Sequence, residues 1–414
     1  MKKSAITFKL MTFLTVLLWT SCQVQQEPPD ANIYLPVVQN QEDQELPDTE
    51  VFLPVIQGND LFPNKATVKY AQGFTIEYFD TYKRLTVTQP WSGANESFSY
   101  ILVPEGGSAP DETNGSLVVQ TPIKSIVTMS TTYFPFLEDL NQLDTLVGVD
   151  DVTYVYNEKV RTKAANGELT IVGGGAGGGT VNLELLIELD PDLIMTSASG
   201  VPELDAHPKL IEADLPVVLN GDYLENSPLG RAEWSKFIAA FFDQEALAEE
   251  QFDQLVARYQ DLVHLAASVS YHPTVFTNTD FQGSWYVPAG ESYAAILLKD
   301  AGADYLWADQ PGTGAVPLAF EAVLEQANAA DFWLNVGFAS DLTSLLEMEE
   351  RYENFSAFTT GQVYNYNKRV TDTGGMDYFE SGVANPDLIL ADLVAIFHPE
   401  LMPSHEFYYY TQLH

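Results

Sequence analysis

From Arg231 to Ser268 the chain contains neither proline nor glycine, the two residues that most readily end a helix. In the second half of that stretch Phe252, Leu255, Val256, Tyr259, Leu262, Val263 and Ala266 fall at i, i+3, i+4, i+7 spacing and form one apolar stripe. Glu249, Glu250, Gln254 and Gln260 lie between them and suit the opposite, solvated face. The pattern predicts a helix longer than the roughly 8–20 residues usual in globular proteins. On both sides the chain alternates short strands and helices. Residues 228–269 are therefore expected to be a spine between two α/β lobes, the competing reading being one long helix within a single large domain.

The length of 414 residues suffices for two domains and a sizeable core. With 58 acidic against 19 basic residues and a net charge of −39, the chain is a poor partner for nucleic acid or for an anionic lipid surface. Residues 1–22 read as a targeting segment. Lys2 and Lys3 supply a positive start, and an apolar run from Leu10 to Leu18 follows that is too short to span a bilayer. Thr20, Ser21 and Cys22 close it. Cys22 is the only cysteine, which excludes disulfides, iron–sulfur clusters and thiolate zinc sites from the mature body. A lone cysteine after an apolar signal and two small residues resembles a bacterial lipobox, although Trp19 stands where that pattern usually has leucine. The resemblance implies diacylation of Cys22 and attachment to the periplasmic side of a bacterial membrane.

Residues 23–65, rich in Gln, Glu, Asp and Pro, read as a flexible acidic tether. Residues 66–120 read as a small β appendage, with strands expected at 70–73, 74–79, 85–87 and 98–103 and a polar Gly/Pro loop at 105–115. The first lobe is expected over 121–227, with strands at 125–129, 145–149, 169–172, 193–195 and 216–219. Asn182 caps a helix there, and Asp190-Pro191 ends it. The second lobe, 270–414, shows strands at 274–277, 305–307, 332–336 and 362–364 and helices at 293–301, 320–327 and 386–397. Strands separated by single helices imply parallel sheets. The fold class is α/β: two Rossmann-like lobes with mainly parallel sheets, a long rigid interdomain helix, and a small N-terminal β appendage.

The run Gly173–Gly179 lacks the Gly-Lys-Ser/Thr ending of a phosphate loop and reads as a flexible loop where backbone approaches a ligand, with Gly174 as its representative. The six histidines are scattered; His207, His272 and His398 each precede proline and read as solvated or turn residues. There is no G-x-S-x-G elbow and no metal-ligand spacing, so no catalytic, metal or cofactor residue is assigned and an enzyme is unsupported. The better clue is aromatic. Tyr133, Tyr154, Tyr156, Trp285, Tyr286 and Trp307 fall at or beyond strand ends, where open α/β sheets bind ligands, and Tyr378 lies in a Gly-Gly-Met-Asp-Tyr loop. Facing lobes would join them in a cleft, about half of them serving the core instead.

Lys124-Ser-Ile-Val-Thr-Met-Ser, Leu146-Val-Gly-Val and Asn182-Leu-Glu-Leu-Leu-Ile-Glu-Leu-Asp-Pro-Asp-Leu-Ile-Met resemble the helical-spine class of ABC-importer substrate-binding proteins. Leu298-Lys-Asp-Ala-Gly-Ala-Asp-Tyr, Phe320-Glu-Ala-Val-Leu, Ala329-Ala-Asp-Phe-Trp-Leu and Phe397-His-Pro-Glu extend the likeness to the end of the chain. That class carries ferric siderophores, haem and vitamin B12. The resemblance implies a monomer serving a permease dimer with its ATPase, one exposed glutamate per lobe docking on permease arginines. The matching positions are Glu184 and Glu321, each also suited to a helix N-terminus. Lys159, Arg161 and Lys163 are the one basic cluster near an expected cleft edge, too little for a triply anionic catecholate. A bulky metal chelate of low charge, corrinoid or hydroxamate, fits better. A tetrapyrrole-handling enzyme of similar shape, chelatase-like, and an adhesive lipoprotein are the alternatives.

Overall fold

The computed structural model describes residues 60–173 and 180–414. The targeting segment, Cys22, the tether up to residue 59 and Gly174 lie outside the described residues. The expected spine is present but shorter than the uninterrupted run. A helix of 22 residues, Glu245–Ala266, carries the stripe. Its start is set by Asp243, whose φ of +54° turns the chain out of a helix without glycine or proline. The Asp243 carboxylate is tied there by Lys83 Nζ at 2.7 Å and Thr121 Oγ1 at 3.0 Å. Upstream, the connector from the first lobe is made of Pro228–Ala232, Trp234–Ala239 and the turn Ala240–Phe242, all short and largely buried. Trp234, Phe237, Ile238 and Phe241 are fully buried, and the buried Lys236 pairs with Glu233.

Four strands precede the first lobe: β1 (Phe74–Tyr78), β2 (Lys83–Val87), β3 (Phe98–Pro104) and β4 (Leu117–Thr121). The first three pair antiparallel, and β4 lies parallel to β3. Residues 70–73, expected as a strand, instead lie across buried carboxylates. Glu233 accepts the N–H groups of Lys69 (2.9 Å), Tyr70 (2.6 Å) and Ala71 (2.8 Å), and Lys236 Nζ at 3.0 Å. Glu225 accepts those of Gln72 (2.9 Å) and Gly73 (2.8 Å), and the Trp234 indole N–H at 3.1 Å. Phe74, Leu85, Val87, Tyr100, Leu102 and Val119 join the first-lobe core, so the appendage has no separate core.

The first-lobe sheet has β5 (Ile126–Thr128), β6 (Leu146–Val149), β7 (Thr170–Ile171), β8 (Leu193–Thr196) and β9 (Val217–Leu219), all parallel in the order β7-β6-β5-β8-β9. The second lobe opens with β10 (Thr274–Thr277), β11 (Asp280–Phe281), β12 (Ser284–Pro288), β13 (Asp304–Tyr305) and β14 (Ala315–Leu318). It closes with β15 (Phe332–Leu334), β16 (Val363–Asn365) and β17 (Thr411–Gln412). Its main sheet runs β13-β10-β15-β16-β17, parallel except for β17. A separate antiparallel sheet β11-β12-β14 was not anticipated.

The spine helix feeds both cores. Ala248 lies in the first, whereas Phe252, Leu255, Tyr259 and Ala266 lie in the second, with Val256, Leu262 and Val263 packed against it. The helix Pro386–Phe397 lies along the spine, and Arg258 Nε meets Asp387 Oδ2 at 2.6 Å. Beyond it the buried Asp392 carboxylate accepts the N–H groups of Tyr408 (2.8 Å), Tyr409 (2.7 Å) and Tyr410 (3.0 Å) and pairs with His405 Nε2 at 2.7 Å. The reading of the proline-preceding histidines as solvated fails for two. His207 is buried and stacked on Trp91 at 5.7 Å, and His398 is buried against the Gly302 carbonyl at 3.2 Å. Among the described residues no helix is long and apolar enough to cross a membrane.

Phe252 is 3% exposed and meets Tyr70 edge-on at 5.7 Å, so it joins the spine to the N-terminal segment as well. Phe252→Ala is expected to cost about 3–5 kcal/mol through lost burial and the cavity left behind. Urea unfolding checks this; an unchanged midpoint would remove the stripe from the shared core.

Candidate functional site

In parallel sheets the carboxyl ends of the strands open onto the crevice where ligands bind. Residues just beyond β5, β6 and β9 therefore face the second lobe, and those beyond β15 and β16 face the first. Past β5 the turn Thr131–Tyr133 is capped by Ser130, whose hydroxyl accepts the Thr132 N–H at 3.3 Å. Past β6 come Tyr154 and Tyr156, and past β9 the turn Asp222–Leu224. From the second lobe the short helix Asp377–Glu380 packs against Thr131–Tyr133.

Glu380 makes the closest link between the lobes. Its two oxygens accept the backbone N–H groups of Tyr156 at 2.8 Å and Asn157 at 2.7 Å. Burial pushes this carboxyl up to about 7 and outweighs the two N–H donors, which hold it down. Beside it Gly375 lies against the Tyr154 backbone, where an added Cβ would sit 2.5 Å from the carbonyl oxygen. The Arg369 guanidinium sits 5.1 Å from the Tyr156 ring centroid and 4.3 Å from that of Tyr408, and its Nε meets Asp377 at 2.5 Å.

Deeper in, polar groups gather without partners. Tyr133 is 1% exposed and Asp222 3%, yet the Tyr133 hydroxyl, Asp222 Oδ2 and Arg231 Nε have no hydrogen bond. Burial raises both the Tyr133 phenol and the Asp222 carboxyl; Asp222 adds to the first shift, while Arg231 opposes the second. Arg231 Nη2 is held by the carbonyls of Tyr223 at 2.9 Å and Glu225 at 3.2 Å, and its guanidinium lies 4.3 Å from the Tyr293 ring centroid. Tyr378 stacks on Tyr366 at 4.8 Å and carries a phenol raised by burial, which Arg231 partly offsets.

Of the expected cleft residues, the structure thus brings Tyr133, Tyr154, Tyr156 and Tyr378 to the interlobe face. It does not bring Trp285 or Trp307 there. Trp285 is fully buried among Phe276, Phe320, Trp333, Tyr352 and Phe355, with its indole N–H on the Thr277 carbonyl at 2.8 Å. Trp307 is 3% exposed and meets Tyr305 edge-on at 5.9 Å. The reason is pleat: in β12 Trp285 points into the core, leaving Tyr286 half-buried on the other face. The basic cluster is occupied within its own lobe. Lys159 meets Glu138 at 2.7 Å, Arg161 Nε the Tyr156 carbonyl at 3.2 Å, and Lys163 the Leu143 carbonyl at 2.8 Å.

Sequence reasoning missed Asp222, Arg231, Tyr293 and Glu380. Only Asp222 had a signal, its place directly after a strand. Phe338 was also missed: it is 75% exposed beyond β15, between Gly337 and Ala339, whose carbonyls are held by Asn365 Nδ2 at 2.9 and 3.0 Å. That fixes a bare aromatic face at the lobe edge. Next to the glycine run, Gly173 abuts Asp150, a carboxyl that burial and Asp151 push up to about 6. Glu184 and Glu321 are exposed in the first turns of Leu183–Leu189 and Phe320–Ala327, and Glu321 already meets Arg351 at 3.1 Å. Among the described residues no group of His, Cys, Asp or Glu is placed to hold a metal ion.

Two α/β lobes sharing a helix, with phenols, the guanidinium groups of Arg231 and Arg369 and unpaired polar atoms between them, have the architecture of a two-lobed binding protein. The chain belongs to the periplasmic binding protein family, whose sequence profile matches residues 126–370. It is 24% identical over 371 residues to an uncharacterized lipoprotein of Methanocaldococcus jannaschii, covering 83% of this chain and 85% of that one. Among solved structures it resembles a periplasmic heme binding protein from Pseudomonas aeruginosa, with a TM-score of 0.51 at 18% identity over 70% of this chain and 98% of that one. It also resembles an ABC-type Fe3+-hydroxamate transport protein from Saccharomonospora viridis, with a TM-score of 0.51 at 16% identity over 67% and 94%. The family is one of extracytoplasmic binding proteins.

Glu380 makes closure depend on pH. With the lobes together its proton is held up to about pH 7, whereas a solvated glutamate releases it near 4.5. Closing the lobes therefore takes up a proton between those values. The closed state gains as pH falls through that window and loses the gain as pH rises through 7. Small-angle scattering at pH 5 and pH 8 should show the tighter form at the lower pH, and Glu380→Gln should abolish the difference. Equal profiles for the unaltered protein would contradict this.

Proposed function

We propose that this protein is a membrane-anchored binding lipoprotein of an ABC importer, lipidated at Cys22. It captures a bulky metal chelate of low charge, an iron–siderophore, haem or corrinoid-like molecule, between its lobes and delivers it to the permease. The observation that carries this reading is the interlobe face itself: Tyr133, Tyr154, Tyr156 and Tyr378 with Arg231 as the deep cation, while the nearby basic cluster is paired elsewhere. Phenols stack on and shape themselves to a large ring or chelate, and Arg231, together with an Arg369 already paired with Asp377, suits little ligand charge. Likeness in fold to proteins named for heme binding and for Fe3+-hydroxamate transport supports the same class.

The direct test is titration of the purified protein with haemin, ferrioxamine B and cyanocobalamin, followed by quenching of tryptophan fluorescence. At least one should saturate with a dissociation constant of about 1 μM or tighter. Absence of saturable quenching by all three would overturn the reading.

Delivery is assigned to Glu184 and Glu321, one exposed carboxylate on each lobe. Glu321 must exchange Arg351 for a permease arginine, while Glu184 makes no ion pair among the described residues. Each contact is expected to contribute on the order of 1 kcal/mol, screened by salt. The double change Glu184→Ala with Glu321→Ala should keep ligand affinity and lose most uptake through the cognate permease. Normal uptake would show the docking surface to be elsewhere.

A further inference from the structure

Three buried polar atoms lie in one neighbourhood near the junction of the lobes, and none has a hydrogen-bond partner among the described residues: the Tyr133 hydroxyl, Asp222 Oδ2 and Arg231 Nε. Groups buried in this way in a folded protein call for a partner the chain itself does not supply. Their characters differ. Arg231 Nε can only donate, Asp222 Oδ2 as a carboxylate can only accept, and the phenol can do either. The three come from separate places, beyond β5, beyond β9 and at the foot of the connector, so no single local motif produces the gap. Arg231 cannot simply swing onto Asp222. Its Nη2 is held by two carbonyls and its plane lies over Tyr293. From the second lobe the Tyr293 ring lies against the Arg231 guanidinium at 4.3 Å.

A ligand carboxylate entering here would satisfy Arg231 but would meet Asp222 as a second acceptor. A ligand ammonium would satisfy Asp222 but would meet the guanidinium. A neutral carboxamide matches all three, its carbonyl accepting from Arg231 and Tyr133 and its N–H donating to Asp222. Resting on the chelate-binding reading above, we infer that Tyr133, Asp222 and Arg231 form a subsite for a neutral amide group of the ligand and so select amide-bearing chelates over carboxylate-bearing ones.

The test compares dicyanocobinamide, a corrin ring bearing carboxamides, with dicyanocobyrinic acid, the same ring bearing carboxylic acids, alongside ferrioxamine B and haemin. Binding to the full chain is read by tryptophan quenching. The amide-bearing corrin should bind about tenfold or more tighter than its acid. Asp222→Asn, whose side chain can donate to a ligand carboxylate as well as accept from an amide N–H, should erase that preference, and Tyr133→Phe should reduce it while removing only one oxygen. If Asp222→Asn does not fold, by circular dichroism, Tyr133→Phe carries the test. Equal affinity for amide and acid, or a preference unchanged in both variants, overturns the subsite. Saturable binding of haemin with none of either amide-bearing chelate overturns the subsite while leaving the chelate-binding reading standing. Binding of none overturns both.

Discussion

The buried carboxylate of Glu233 is the tie on which the arrangement of the whole molecule depends. It is fully enclosed, and a carboxylate in that position is tolerable only when its lone pairs are filled. Three successive backbone N–H groups, from Lys69 to Ala71, and the Lys236 ammonium fill them. Charge-assisted bonds of this kind are short and strong, and removing any donor strands the charge. Glu225 repeats the device two residues further along the N-terminal segment. The segment that precedes the first lobe, the connector that leaves it and the spine that enters the second are thereby held in register.

That register decides what the cleft can contain. Arg231 stands only two residues before Glu233, at the junction of the lobes. Its position is set by the connector and by the two carbonyls that hold its Nη2, not by the contents of the cleft. Tyr133 and Asp222 are likewise fixed by the carboxyl ends of their strands. For the proposed site this means pre-organisation: groups already fixed need not be ordered by a ligand, which lowers the entropic cost of binding. The outer part is different in kind: Glu380, Gly375 and Tyr154 form a lobe-to-lobe contact built largely from backbone groups, and Phe338 offers a bare ring.

Regular periodicity made much of the fold legible. The strand at 274–277 and the helices at 320–327 and 386–397 lie where apolar spacing and helix-start signals put them. Failures occur where local signals and tertiary context disagree. Asp243 breaks the expected spine because an aspartate held by Lys83 can take up a left-handed conformation, and nothing in the residue type announces it. Trp285 and Tyr286 read together as strand-end aromatics, yet adjacent residues in a strand face opposite ways, and the larger ring took the core. Tyr133, Tyr154 and Tyr156 of the interlobe face could be found from strand ends, and Tyr378 from its glycine loop. Arg231, Tyr293 and Glu380 could not, because their meeting is a property of how the lobes face each other, which single-chain periodicity does not encode.

Asp392 has a consequence for how the second lobe is made. Its carboxylate sits in the lobe core and is satisfied by the amides of Tyr408, Tyr409 and Tyr410, with His405 beside it. The edge strand β17 follows directly and pairs with β16. The helix bearing Asp392 precedes all of these donors in the chain, and burying it without them would leave the charge uncompensated. The aromatic interior of the second lobe therefore cannot close around this helix alone; it closes when residues 408–410 reach back to it.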